Sequence, residues 1–332
     1  MVMTRRRLAG LLAASALAPV LTAGPAWAQA SSLQSWPNRF VRLVVPFPAG
    51  GGTDAVARIL AERLSELWGQ QMVIENKGGA GSNIGAEAVA RADPDGYTVL
   101  VGSLPLAVNR YLYPSLAYDP IVDFAPVTLI CLYPNLMVVP NSSPVKSVKE
   151  FIAHAKANSG KITFASSGTG TSTHLSGELF KRMTGIEMTH VPYRGVALAL
   201  NDVIPGRVDV MFNTMAGVLQ QVRAGQLRGL AVTTPERFPT APEFPTVAET
   251  VPGFDVSSWY ALFVPAKTPV AIVRKLHADT VAVLAEPAVR NKLERVGVMV
   301  VGSTPEQLAA QLKSETELWG PVIKAAGIKP EG

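Results

Sequence analysis

Val41-Arg42-Leu43-Val44-Val45-Pro46-Phe47-Pro48-Ala49-Gly50-Gly51-Gly52-Thr53-Asp54 is the stretch whose reading decides the fold. Val41, Leu43, Val44 and Val45 are aliphatic with little alternation, the pattern of a strand buried on both faces of a parallel sheet. Beyond the glycines, Val56, Ile59, Leu60, Leu64, Leu67 and Trp68 recur at helical spacing, with Arg58, Glu62, Arg63 and Glu66 on the other faces. The order is strand, glycine-rich turn, helix. The glycines remove the Cβ atoms that would hold a ligand off the backbone, and Thr53 or Asp54 is placed to cap the helix. Free amides and the positive end of the dipole at such a helix start favour a carboxylate or phosphate.

Three readings of this turn stand side by side. It is a small-anion site, an ordinary βα turn that binds nothing, or a dinucleotide loop. The last rests on Gly50-x-Gly52-x-x-Ala55, which fits the fingerprint, and on Glu75, which lies where a ribose-binding acid would. Against it, Pro46 and Pro48 place a stiff extended segment where a dinucleotide fold wants a tight turn.

Outward along the chain the pattern repeats. Met72-Val73-Ile74 reads as a strand leading to the turn Asn76 to Asn83, with Asn83 as helix cap, and Tyr97 to Gly102 as a strand ending at Ser103. Three strands thus end in polar or glycine-rich turns at one edge of a parallel sheet, the edge where open α/β sheets bind ligands. Leu129 to Val139 is a long extended segment interrupted by Tyr133-Pro134, and Ser147 with Glu150 forms a capping box. Ile162 to Ala165 is a strand, Ser166 to Thr173 a Gly/Ser/Thr turn, and Leu175, Leu179, Phe180 and Met183 mark the helix after it. The opening motif has returned, which predicts two α/β lobes, each offering one anion-friendly helix start.

Further strands are expected at Met188–Val191, Val208–Phe212 and Leu227–Val232, with Gly225 just past the end of a helix. Val256 to Val264 returns the chain to the first lobe. Helices starting at Thr268-Pro269 and at the capping box Thr304-Pro305-Glu306-Gln307 cover that lobe's sheet. The expected organisation is residues 1–28 as a signal, 29–130 plus 256–332 as the first lobe and 131–255 as the second.

Arg5, Arg6 and Arg7, the apolar stretch Leu8 to Leu21 and Ala26-Trp27-Ala28 have the form of a cleavable export signal, by ordinary secretion or by a twin-arginine route. Cleavage after Ala28 would leave 332 − 28 = 304 residues. It would also remove three of 30 Lys+Arg and no acid, so the net charge becomes 27 − 25 = +2. That charge, with no Lys/Arg cluster interleaved with aromatics, gives no argument for nucleic acid. Cys131 is the single cysteine, so no intrachain disulfide can form.

The four histidines, at 154, 174, 190 and 277, lack the i, i+4 spacing of a helical metal site. Gly-x-Ser-x-Gly, Walker and His-Glu-x-x-His motifs are missing from the sequence, so no catalytic residue, metal or cofactor is assigned. His174 either contacts ligand or packs and caps its helix. Asp54 either contacts ligand or stabilises its helix start, and the second reading is favoured because a bare carboxylate repels an anionic guest. Arg194 has the fork to hold a distal carboxylate or to pair with a surface acid. Trp259 and Tyr260 are expected to pack where the lobes cross.

Taken together, Val41 to Asp54, Asn76 to Gly85, Asp93-Pro94-Asp95-Gly96-Tyr97-Thr98, His190-Val191-Pro192-Tyr193-Arg194-Gly195 and Ser258-Trp259-Tyr260 resemble the Bug-type extracytoplasmic receptors of tripartite tricarboxylate transporters. The resemblance is colinear and covers essentially the whole chain after the signal. It implies a two-lobed periplasmic binding protein of type II, a Venus-flytrap of two mainly parallel sheets flanked by helices. It further implies a monomer that takes an organic carboxylate and delivers it to membrane permease subunits, without catalysis. Carried over by position, the ligand-binding residues are Ala49, Gly50, Gly51 and Thr53 of the first loop, and Ser167, Gly168, Thr169, Gly170, Thr171 and Ser172 of the second. Asn83 and Ser103 are assigned to the first-lobe side, and Tyr193, Arg194 and Asn213 to the second. Many relatives have proline in the second loop where this chain reads Gly168-Thr169-Gly170-Thr171-Ser172-Thr173. An exported NAD(P)-dependent oxidoreductase using the Gly50-x-Gly52-x-x-Ala55 loop is the alternative.

Overall fold

The structure, a computed structural model, describes residues 36–328. The chain divides after Trp36, and the unit that begins at Pro37 is the one described below. The expected export signal lies outside the described residues.

Aliphatic β1 (Val41–Val45) sits between β2 (Met72–Asn76) and β3 (Thr98–Ser103), all parallel. Antiparallel to β3 runs β9 (Ser257–Pro265), and beside it β4 (Phe124–Pro140), a strand of 17 residues. The two long strands pair from Phe124 opposite Pro265 to Pro134 opposite Ser257. At that point β4 changes partners. From Asn135 onward it pairs with β7 (Val210–Thr214) and β8 (Leu227–Val232), and the sheet continues through β5 (Thr163–Ser166) to β6 (Thr189–Pro192). β4 is thus shared by two half-sheets, one running through parallel β3, β1 and β2 and the other through parallel β7, β5 and β6, with β8 antiparallel beside β4.

Helices follow the strands in alternation: α1 (Gly52–Trp68), α2 (Asn83–Ala90), α3 (Leu104–Leu112), α4 (Val148–Ala157), α5 (Ser172–Thr184), α6 (Val196–Val203) and α7 (Met215–Arg223). After β9 come α8 (Val270–Ala285), α9 (Pro287–Arg295) and α10 (Pro305–Ala326). Burial follows the sequence pattern. Val41, Leu43 and Val45 of β1 and Val56, Leu60 and Leu64 of α1 are fully buried.

Three expected caps differ in detail. At α1 the cap position is Gly51, which has no side chain, and Asp54 turns back to its own loop. At α2 Asn83 lies inside the helix, because its amide oxygen is claimed by Asn109 and Tyr118. At α8 Pro269 takes the cap position, and Thr268 Oγ1 is buried without a partner. The capping box at Thr304 and Gln307 forms with both bonds, whereas Glu150 accepts from Lys146 N instead of from Ser147. The short strand β10 (Met299–Val300), which pairs with β4, was not expected from the sequence.

Candidate functional site

Between the half-sheets lies a small chamber lined by Phe47, Gly51, Gly52, Thr53, Ser103, Pro105, Tyr133, Ser167, Thr171, Ser172, Val196, Thr214 and Tyr260. The parallel strands β1, β3, β5, β6 and β7 end at this edge, so the helices that follow them start there. Gly51, Ser103, Thr171 and Thr214 are the cap residues of α1, α3, α5 and α7, and Val196 is the first residue of α6. Among the described residues five helix N-termini therefore face one space. Four of them, those of α1, α3, α6 and α7, have no side chain capping them, which leaves their first-turn donors to a guest. Among the described residues lining it, none is charged. Attraction for an anion comes from amides, hydroxyls and dipoles.

The first loop is held in shape by Asp54. Its buried carboxylate accepts from Gly50 N at 3.0 Å, from Arg58 Nε and Nη2 at 2.8 and 3.0 Å, and from Asn76 Nδ2 at 3.0 Å. Burial alone would raise its pKa, but the hydrogen bonds from Arg58, Gly50 and Asn76 and the charge of Arg58 outweigh it and hold the carboxyl below its usual range. A carboxylate so fully engaged braces the loop and leaves the chamber to the backbone. Gly52 is the glycine the packing requires. A Cβ there would lie 2.8 Å from Thr214 Oγ1, 3.0 Å from the Tyr260 hydroxyl and 3.1 Å from Ala216 Cβ.

Behind the second loop, Thr173 Oγ1 takes the Ser167 amide at 2.9 Å, and Thr171 caps α5. Two imidazoles support the loop from below. His174 Nδ1 accepts the Gly170 amide at 3.2 Å, while His190 Nε2 lies 2.6 Å from Ser166 Oγ, which accepts the Gly168 amide. Burial, with the neighbouring His190 and Lys181, lowers His174 to about 3. Burial also lowers His190, to about 4. His174 packs and braces; it is not among the residues lining the chamber.

Two tyrosines close the floor. Tyr133 on β4 and Tyr260 on β9 stack with ring centroids 4.3 Å apart; Ser258 donates to the Tyr133 hydroxyl at 3.0 Å, and Ser172 and Thr53 lie beside the two phenols. Burial pushes the Tyr133 hydroxyl up to about 12 and that of Tyr260 well above its ordinary value, so both are neutral donors. Trp259, by contrast, packs against Phe263 in the core.

Phe47 and Ser167 also line a second, larger and more open space, with Gly79, Ala80, Gly81, Ser82, Tyr113, Gly168, Thr169, Pro192, Tyr193 and Arg194. The expected site residues divide accordingly. Gly51, Thr53, Ser103, Ser167, Thr171 and Ser172 face the inner chamber, and Gly168, Thr169, Tyr193 and Arg194 the outer one. Ala49, Gly50, Asn83, Gly170 and Asn213 line neither. Ala49 and Gly50 are exposed on the rim, the Gly170 amide is spent on His174, and Asn213 is fully buried in β7. Tyr193 directs its hydroxyl to Asp202 at 2.7 Å, away from a guest.

Sequence reasoning missed Phe47, Gly52, Pro105, Tyr133, Val196, Thr214 and Tyr260 as lining residues. Val196 and Thr214 were within reach, since each opens a helix after a strand as Gly51 and Thr171 do. Glu75, which a dinucleotide would need for a ribose, instead pairs with Lys77 at 3.1 Å and Arg42 at 3.7 Å.

A family model described as "Tripartite tricarboxylate transporter family receptor" matches residues 56–328. The UPF0065 protein in the tcbD-tcbE intergenic region of Pseudomonas sp. (strain P51) is 41% identical over 297 residues, covering 89% of this chain and 88% of that one. Among solved structures, an R. palustris protein with adipate is 41% identical with a TM-score of 0.87, over 89% of this chain and all of its own. The periplasmic binding protein BugD gives 36% and 0.85, over 89% of this chain and all of its own. MatC from Rhodopseudomonas palustris with bound malate gives 34% and 0.81, over 87% of this chain and all of its own. The chain belongs to the family of tripartite tricarboxylate transporter receptors, a family of solute-binding proteins and not of enzymes, and has their α/β periplasmic binding protein fold.

Proposed function

We propose that this receptor captures the carboxylate head of a small organic acid in the inner chamber and delivers it in the periplasm to the permease subunits of a tripartite tricarboxylate transporter. The observation that carries this reading is the convergence of helix N-termini, four without side-chain caps, on a space lined by uncharged groups. Such a site suits an anion and offers nothing to a cation. Similarity to proteins solved with adipate and malate supports the same ligand class. The remainder of the ligand extends past Phe47 into the outer space, where Gly168, Thr169 and the exposed Arg194 lie.

Residues 29–130 with 256–332 act as one lobe and 131–255 as the other, exported as a monomer after cleavage behind Ala28. The strands β4 and β9 tie the halves together, which supports closure about that pair. The test is a thermal-shift screen of residues 29–332 against mono-, di- and tricarboxylates and nicotinamide dinucleotides. A ligand bound only by the native state raises the melting temperature. A shift with carboxylates supports the receptor reading; a shift with the dinucleotide alone overturns it.

A further inference from the structure

Tyr133 and Tyr260 stand apart from the rest of the chamber wall, because they come from the strands that join the two halves and not from the helix starts. They are diagonal neighbours on antiparallel strands, since Tyr133 lies opposite Ser258 and Tyr260 opposite Cys131. Tyr260 is 1% exposed and Tyr133 3%. A buried hydroxyl needs a hydrogen-bond partner: Ser258 donates to Tyr133 at 3.0 Å, and the Tyr260 and Ser172 hydroxyls neighbour that of Tyr133 as Thr53 neighbours that of Tyr260. One of these hydroxyls has no freedom. Ser172 Oγ lies 3.2 Å from Asn135 Oδ1, an amide oxygen that can only accept, so the Ser172 proton is committed there. With that proton spent, Tyr133 can only donate toward Ser172, and the protons of Tyr260 and Thr53 remain free to rotate.

We infer that Tyr260 donates its hydroxyl proton to the carboxylate head in the inner chamber, and that Tyr133 is the positioning residue that supports it. The inference rests on the proposed function, since it needs a carboxylate in that chamber. A carboxylate accepts and cannot donate, so its arrival turns the Tyr260 proton into the chamber while Thr53 supplies the proton that Tyr260 then accepts. The arrangement also places one donor to the guest on β9, supported from β4, so that the strands about which the halves close share the ligand's hydrogen bonds. Gly52 fits the same picture, because its missing Cβ is what lets the Tyr260 hydroxyl approach the first turn of α1.

The test compares wild type, Tyr260→Phe and Tyr133→Phe by titration calorimetry with adipate and with malate, alongside near-ultraviolet tyrosine difference spectra. Phenylalanine keeps ring and packing, so the melting temperature of each unliganded variant checks folding separately. The expected result is affinity about tenfold lower in Tyr260→Phe, a smaller loss in Tyr133→Phe, and a ligand-induced tyrosine difference signal that wild type gives and Tyr260→Phe lacks. A merely structural tyrosine would leave that signal and the affinity in place. Binding in folded Tyr260→Phe as tight as in wild type overturns the inference and leaves the receptor reading standing. Failure of wild type to bind either acid overturns the assignment of ligand class on which the inference rests.

Discussion

The rings of His174 and His190 stack with centroids 4.2 Å apart and planes inclined by 25°, and each holds one end of the second loop. Both are lowered from 6.5, His174 to about 3 and His190 to about 4, so the folded protein keeps them neutral where the unfolded chain protonates them. The unfolded state then binds more protons, and stability rises with pH across that interval. Their contribution is complete above 6.5 and is lost as pH falls toward about 4 and then about 3. Melting temperature should therefore fall steadily on acidification through this window. In His174→Gln, which keeps an acceptor for the Gly170 amide, the slope should be shallower. A wild-type melting temperature flat across the window would contradict this.

Gly52 and Gly51 differ by one position and should differ sharply in effect. A Cβ at Gly52 meets Thr214, Tyr260 and Ala216, whereas at Gly51 the nearest atom is Val196 Cβ at 3.9 Å. Gly52→Ala should weaken carboxylate binding by about tenfold or more, a loss of about 1.4 kcal/mol, and Gly51→Ala by much less. Calorimetric titration of the two variants checks the order, and a reversed order would move the required close approach to the other glycine.

Asp54→Asn should cost stability through the loop it braces. The amide cannot accept from Gly50, Arg58 and Asn76 as the carboxylate does, and it turns an NH2 group toward donors. Because Arg58 is half exposed, the ion-pair part is discounted, and the expected loss is about 1–2 kcal/mol in denaturant unfolding. An unchanged midpoint would show that the loop holds its shape without the carboxylate.

Ala80 and Ser82 carry positive φ, 48° and 82°, in the turn that lines the outer space. A left-handed conformation costs an L-residue about 1–2 kcal/mol, partly offset by glycine's greater unfolded freedom, about 0.5–1 kcal/mol. Ala80→Gly should therefore raise stability by about 0.5 kcal/mol, measured as a shift in urea midpoint with unchanged slope. A loss of stability would mean that the Ala80 methyl makes contacts worth more than the strain.

Most of the fold was legible because β1 and α1 carry unmixed periodic signals and the strand, turn and helix order repeats from Thr163 to Thr184. Part of the inner chamber's lining was legible for the same reason: Gly51, Ser103, Thr171 and Ser172 are marked by their place in that order. What could not be read was anything depending on a partner distant in sequence. Asn83 reads as a cap until Asn109 and Tyr118 take its oxygen. Tyr260 reads as core until β4 brings Tyr133 beside it, and only the pair makes a chamber floor. The two-residue β10 is too short to leave a periodic signal, and its pairing with Cys131 and Leu132 is wholly tertiary.

The central claim is that uncharged donors at converging helix starts receive a carboxylate. The most direct measurement is calorimetric titration of residues 29–332 with adipate, malate and the corresponding diamides, which keep the length and lose the charge. The account predicts saturable binding of at least one acid and loss of binding, by about a hundredfold or more, in its diamide. Equal affinity for acid and diamide, or binding of neither acid, would contradict it.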